Sequence, residues 1–288
     1  MSAGASTSVI SVCSNQHAKV WELTSQLLPN FVEADNYTVY VPDSQVEEFL
    51  DITNPIIAVL PESALDTGYA VKLKDQINFH NNSERFGWYF QQFLKIEALL
   101  HADGEHLVIW ESDCVPVKKI KLFDENQRPI FMKGSEYNKE YFLTIENLLG
   151  LRRVQSQSFQ VPGFPMKKQW LDEFIDAVEI RNDGARWFDA IISSTDLGSQ
   201  SGFSECETLG TWIANSYPGE YSLSDLAWER FGQSRFGRAS KFTPEKLVAL
   251  GKKENFDAIC FENWDTKTPF KRLQQSARLL NHKLTQKN

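Results

Sequence analysis

Two carboxylates separated by one residue, Glu111 and Asp113, follow directly on the apolar run Leu107-Val108-Ile109-Trp110. On an extended strand, side chains two residues apart point the same way, so a pair at a strand end can share a divalent cation. Carboxylate oxygens suit Mg2+ or Mn2+, and Mg2+ usually takes one or two carboxylates together with substrate phosphate. Such a cation would neutralise charge on a diphosphate leaving group. The competing reading is two solvated acids at the end of a strand. Upstream, Gln92 and Lys95 stand at i and i+3 of a helical pattern and are neighbours on its surface. A lysine beside the cation can hold a diphosphate as a point charge; the alternative is the polar face of a surface helix. Gln91 lies about 100° round the helix from Gln92, so the two are expected to face different ways. Further on, Ser204-Glu205-Cys206-Glu207 has the pattern of a capping box, with Ser204 accepting from the backbone at 207 and Glu207 reaching back. That accounts for Glu207 and leaves Glu205 with only a favourable place at a helix N-terminus.

These residues need elements to position them. Ser8 to Cys13, Tyr37 to Val41 and Ile56 to Leu60 read as strands, with a helix over about 18–28 and a short one opened by a capping box at Ser44-Gln-Val-Glu47. The third strand is an almost continuous apolar run, as in strands buried on both faces. This β-α-β-α-β order predicts an α/β fold with a parallel sheet. Apolar residues at 86, 89, 90, 93, 96 and 100 predict a long helix just before the strand 107–110. In open α/β sheets, ligands sit beyond the carboxyl ends of strands, which is where Glu111 and Asp113 stand. Residues 117–165 read as short strands and turns, including Pro129 to Met132 and Phe159 to Val161. Helices are expected over 170–178, after Ser204 and over 269–284, with a late strand at 258–261. The expected organisation is one domain over 1–265, with halves of about 8–116 and 117–265, and a basic helical tail over 266–288.

The chain has 288 residues, 42% hydrophobic and 24% charged, an ordinary globular composition. No apolar run approaches the ~20 residues a bilayer requires, and the first ten residues lack the features of a secretory signal. A net charge of −8 argues against bulk nucleic-acid binding. Cysteines 13, 114, 206 and 260 form no C-x-x-C pair, so reduced, buried thiols in a cytoplasmic protein are expected. Trp187, between Arg186 and Asp189, is a candidate for stacking on a sugar, whereas Trp170 and Trp212 fall at core positions of helices. From Thr266 the chain carries six Lys or Arg and no acid. An amphipathic helix of that kind can lie on an anionic membrane surface, or it can be a packed terminal helix with a solvated face.

The apolar strand followed by acid-x-Asp and Val115-Pro116 resembles the D-x-D region of GT-A glycosyltransferases. Gly87-Trp88-Tyr89-Phe90-Gln91-Gln92-Phe93-Leu94-Lys95 resembles the G-W-x-x-Q-Q-x-x-K helix of a family of uncharacterised, glycosyltransferase-like bacterial proteins, and Phe203-Ser204-Glu205-Cys206-Glu207 resembles that family's F-S-E-x-E segment. The resemblance covers roughly residues 8–265 and departs from the pattern at Glu111, where Asp is usual. It implies a GT-A-like fold, a Rossmann-like mixed sheet flanked by helices. It also implies metal-dependent transfer of a sugar from a nucleotide-diphosphate donor to a glycan or lipid-linked acceptor in the cytoplasm. By resemblance, Asp113 holds Mn2+ or Mg2+ with Glu111 assisting. Cys13, Ser14, Asn15 and Lys19 lie near the nucleotide, joined by Gln92, Lys95 and Ser112. Asp43 and Glu62 are weaker candidates. Glu205 is the implied base for an acceptor hydroxyl, with Glu207 as its alternative. A third metal ligand is looked for at His282, or at Glu262 and Asp265. Two rival readings stay open: sugar nucleotidyl transfer, disfavoured by the lack of glycine in Ser14-Asn15-Gln16-His17, and a GT-A-like protein that binds without catalysis.

Overall fold

The structure, a computed structural model, describes residues 5–265. The expected tail helix over 266–288 and His282 lie outside the described residues. Strand β1 (Thr7–Val12) leads through α1 (Ala18–Phe31) to β2 (Asn36–Val41), then through α2 (Val46–Ile52) to β3 (Ala58–Pro61). Helices α3 (Ala70–Phe79) and α4 (Phe86–His101) follow, and α4 returns the chain to β4 (His106–Trp110). After β5 (Cys114–Pro116), β6 (Ile130–Met132) and α5 (Lys139–Leu149), β7 (Gly163–Lys167) rejoins the main sheet. The rest comprises α6 (Lys168–Arg181), α7 (Trp187–Ser194), α8 (Glu205–Ser216), β8 (Ser222–Ser224), β9 (Trp228–Glu229), α9 (Gly232–Phe236), α10 (Pro244–Glu254) and β10 (Ala258–Cys260).

The central sheet runs β3-β2-β1-β4-β7, with the first four strands parallel and β7 antiparallel to β4. Alternation along the inner strands feeds two cores. Ile10, Leu107 and Ile109 face one side, against Phe93 of α4, Phe174 of α6 and Leu209 of α8. Val9, Val108 and Trp110 face the other, against Trp21 of α1 and Phe49 of α2. Fully burying such side chains contributes about 1.5–3 kcal/mol each, which locks the register of β1 and β4 and hence where their carboxyl ends stop. The expected α/β class, with a mixed, parallel-rich sheet flanked by helices, is what the chain forms.

Several local expectations differ from the structure. β3 is the sheet's edge, with Ala58 exposed and the remaining residues half-buried, so the apolar run at 56–60 is not a strand covered on both faces. The 44–47 capping box is absent: a short 3-10 turn at Asp43–Gln45 opens α2, and no side chain caps it. Within the stretch read as strands and turns, 139–149 is a helix, capped by Asn138 and ended by Gly150 at φ 68°. Phe159 to Val161 is not a strand; the sheet pairing begins at Gly163. Trp187 is 4% exposed and packs against Tyr69, Phe93 and Phe188, so it belongs to the core and not to a sugar site. The cysteines are not all free thiols. Cys114 and Cys260, directly opposite on β5 and β10, are joined by a disulfide, while Cys13 and Cys206 are free and buried. No helix of the described residues is long and apolar enough to cross a membrane.

Candidate functional site

Burial of Trp110 fixes where β4 ends. Its ring stands where a Cβ on residue 163 would come within 2.7 Å, so glycine at that position lets β7 approach. Its indole N–H donates to the Cys114 carbonyl across 2.8 Å. Between these anchors the chain leaves the strand in a tight turn, closed by the Cys114 N–H donating to the Glu111 carbonyl at 3.0 Å. Glu111 and Asp113 therefore sit on a turn and not on extended backbone, and the same-face argument from strand geometry does not hold. Instead, neighbouring elements aim each one. The Asp113 carbonyl accepts from the Phe261 N–H at 2.8 Å, and the disulfide one residue later ties the turn to β10. The buried Ser112 carbonyl accepts from Thr24 of α1 at 3.1 Å.

The turn forms part of the floor of a cleft of about 1580 Å³ that opens beyond the carboxyl ends of β1 and β4. Gln92, Lys95, Glu111, Ser112 and Asp113 all line it, so five sequence-derived candidates meet in one place. Gln91 lines it too, despite its different bearing on α4, because the cleft wraps that end of the helix. Lys95 is nearly buried and lies 2.6 Å from Glu111 Oε1 and 2.9 Å from Glu205 Oε1. Burial pulls the ammonium pKa down, but Glu111 and then Glu205 push it up, and the net value is well above the usual lysine range. Glu111, Glu205 and Cys206 offer ligand atoms within 4.8 Å of one another. The Lys95 ammonium is already held by both carboxylates, so a metal ion on that trio would face a fixed like charge.

Asp113 is half-buried and makes no ion pair among the described residues. Burial, then the charge of Glu111, raises its pKa to about 6, against the opposing pull of Lys95 and Arg230. Glu262, which follows β10, also lines the cleft. Burial raises it to about 8, Arg230 opposes that rise and Asp113 adds to it. Arg230 donates to Glu262 at 3.0 Å and to Glu136. His17 lines the cleft as well, its pKa lowered by burial against the influence of Glu111.

The remaining candidates stand elsewhere. Glu205 is 1% exposed and lies behind Lys95, not among the cleft residues, so in this structure it cannot take a proton directly from a group in the cleft. Glu207 is equally buried. Its backbone N–H donates to Ser204 Oγ at 3.1 Å, but its carboxylate accepts from Ser158 Oγ at 2.7 Å and the Phe159 N–H at 3.1 Å. The capping box is thus half formed, and Glu207 pins the 158–159 loop instead. Cys13 is buried, and burial pushes its thiol up to about 12. Ser14 precedes a 3-10 turn, Asn15 donates its N–H to Gln45 at 2.8 Å, and Lys19 is exposed and pairs with Glu22 at 3.3 Å. None of these four lines the large cleft; Lys19 borders a smaller hollow. Asp43 and Glu62 stand near each other after β2 and β3, also outside it, with Glu62 raised to about 7 by burial and then by Asp43. Asp265 accepts from the Ser234 N–H at 2.8 Å.

Sequence reasoning missed Arg230, Glu136, Arg85 and Arg153 in the cleft. Glu136, Arg153 and Arg230 come from segments read without a regular period, and Arg85 stands just before the first residue of the α4 pattern, so no pattern pointed to a shared face.

The sequence profile of a family of unknown function, DUF6492, matches residues 16–277. Among solved structures, the chain is similar to WbbM, a bifunctional glycosyltransferase in its apo form, at 11% identity and a TM-score of 0.42, covering 91% of this chain and 47% of that one. The chain thus spans about half the length of that protein. It is also similar to apo mouse xyloside xylosyltransferase 1, at 8% identity and a TM-score of 0.48, covering 91% of this chain and 99% of that one. No curated protein matches.

Proposed function

For a chain that belongs to DUF6492, a family of unknown function, we propose metal-dependent transfer of a sugar from a nucleotide-diphosphate donor to a glycan or lipid-linked acceptor. One observation carries the reading. A single cleft at the carboxyl ends of the parallel strands gathers Asp113, Glu111 and Glu262 beside Lys95 and Gln92. Open α/β sheets bind their ligands at that edge.

The donor set fits a hard cation. Its ligand atoms are carboxylate oxygens, and Asp113, unlike Glu111 and Glu262, pairs with no cation among the described residues, which leaves its carboxylate free to take one. Asp113 would hold Mn2+ or Mg2+, with Glu111, of which Lys95 takes one oxygen, or Glu262 beside it. When bound, the metal would offset charge on the diphosphate as the sugar leaves. Lys95, kept charged by its two carboxylates, would set a fixed positive end against the same diphosphate. Glu205 acts through Lys95 in this reading, as a positioning residue. A cytoplasmic place of action remains part of the proposal.

Thermal-shift and calorimetric titration of UDP- and GDP-sugars, with and without Mn2+, tests it. A true donor should raise the melting temperature only with metal, since stabilisation follows occupancy, and Asp113→Asn should remove the metal-dependent part. A wild-type chain indifferent to every nucleotide sugar with Mn2+ present would discard the proposal.

A further inference from the structure

Among the basic side chains lining the cleft, Lys95, Lys133 and Arg230 are each paired with a carboxylate. Arg85 and Arg153 also line it, and neither has a carboxylate within 4.0 Å among the described residues. On a chain of net charge −8, two cations without a salt-bridge partner in one cavity call for an explanation.

Both guanidinium groups are held in place by aromatic rings. Arg85 lies 4.6 Å from the centroid of Trp88. Arg153 lies 5.2 Å from that of Tyr137 and 5.0 Å from that of Phe142. Stacking fixes the plane of a guanidinium and leaves its edge to donate. Arg153 spends one edge donor on the Ser156 carbonyl at 2.7 Å. The Nε of each arginine is buried without a hydrogen-bond partner.

The two arginines belong to one continuous wall. Tyr89, on the helix that Arg85 precedes, accepts from the Gly202 N–H at 2.8 Å. The neighbouring Ser201 takes a hydrogen bond from Asn138 at 2.7 Å, and Asn138 follows Tyr137, on which Arg153 stacks. Trp88, Tyr137, Asn138 and Ser201 all face the cleft.

We propose that this wall is a subsite for an anionic saccharide. A carboxylate or phosphate oxygen on the sugar would accept from Arg85 and Arg153, and the sugar ring would lie beside Trp88 and Tyr137. The saccharide nature of the ligand rests on the sugar-transfer reading, in which this subsite holds the acceptor; the negative charge rests on the arginines alone.

Calorimetry on the full chain at low salt tests it with three probes: a glucuronate-terminated disaccharide, its glucose-terminated counterpart and glucose 6-phosphate. At least one anionic probe should bind ten times more tightly than the neutral disaccharide. The preferred probe tells a uronate from a phosphate ester. Arg85→Gln and Arg153→Gln should each weaken that binding about tenfold, with Arg153→Lys keeping part of it. Equal binding of neutral and charged probes, no binding of either anionic probe, or Gln variants that bind like wild type would overturn the subsite. The wild-type comparison decides even if a variant fails to fold. Anionic binding through the arginines in a protein that ignores every nucleotide sugar would leave the subsite standing and remove the sugar-transfer reading.

Discussion

At the scale of single residues, Lys95 governs what the site can do. It is buried between two acids, 2.6 Å from one and 2.9 Å from the other, and an ammonium in that position stays charged across any working pH. Glu205→Gln separates the two roles open to Glu205. If Glu205 positions Lys95, the donor should bind about tenfold more weakly and turnover should fall with it, while Glu205→Asp should restore part of both. A direct base would instead lose turnover with donor affinity intact. Calorimetric donor affinity measured beside kcat distinguishes them. The sequence brought Lys95, Gln92, Glu111 and Asp113 forward because helix period and strand position are local signals. It could not show that Lys95 and Glu205, 110 positions apart, share a hydrogen-bonding distance, because that contact exists only once α4 and α8 pack together.

At the scale of elements, the loop packed on α8 makes a sharp demand on Gly210. A Cβ there would come within 2.1 Å of the Phe159 ring. Replacing glycine by alanine inside a helix gains about 1 kcal/mol in propensity, but forcing an atom into a filled core costs about 1–3 kcal/mol. The ring has little room to retreat, since the Phe159 N–H is held by Glu207 at 3.1 Å. Gly210→Ala should therefore lower the urea midpoint, by a net loss of up to about 2 kcal/mol. An unchanged or higher midpoint would mean that Phe159 swings aside freely. Strong periods made α4, α6 and α8 legible, and the apolar run gave β4. The edge position of β3 was not legible, because an apolar run reads alike whether one face or both are covered. The turn at 111–114 was not legible either. Ser112 and Asp113 are turn-forming types, but the apolar run before them reads as a strand continuing through them, and Trp110 and the disulfide that hold the turn lie outside it.

At the scale of the whole molecule, the disulfide between Cys114 and Cys260 closes a separation of 146 residues. Cross-links over so long a loop stabilise by about 5 kcal/mol in the chain-entropy picture. The paired substitution Cys114→Ser with Cys260→Ser should lower the unfolding free energy by that order in urea. A thiol reagent in denaturant should count two reactive cysteines before reduction and four after it. Four without reductant would show that the pair is not bonded. Cysteine spacing carried no hint of this partnership, because β5 and β10 become neighbours only through the fold. Such bonds persist in oxidising compartments, so this pair lends no support to a cytoplasmic place of action.

The pairing of β5 with β10 also bears on biosynthesis. During translation, the parallel strands and Asp113 emerge before the strand that braces the acid turn and the glutamate that shares its cleft. A nascent chain halted before residue 258 could wind its first four strands yet would have no finished floor beneath the acid turn. Contacts of such long range also slow folding, so the cleft is complete only once β10 and Glu262 have left the ribosome.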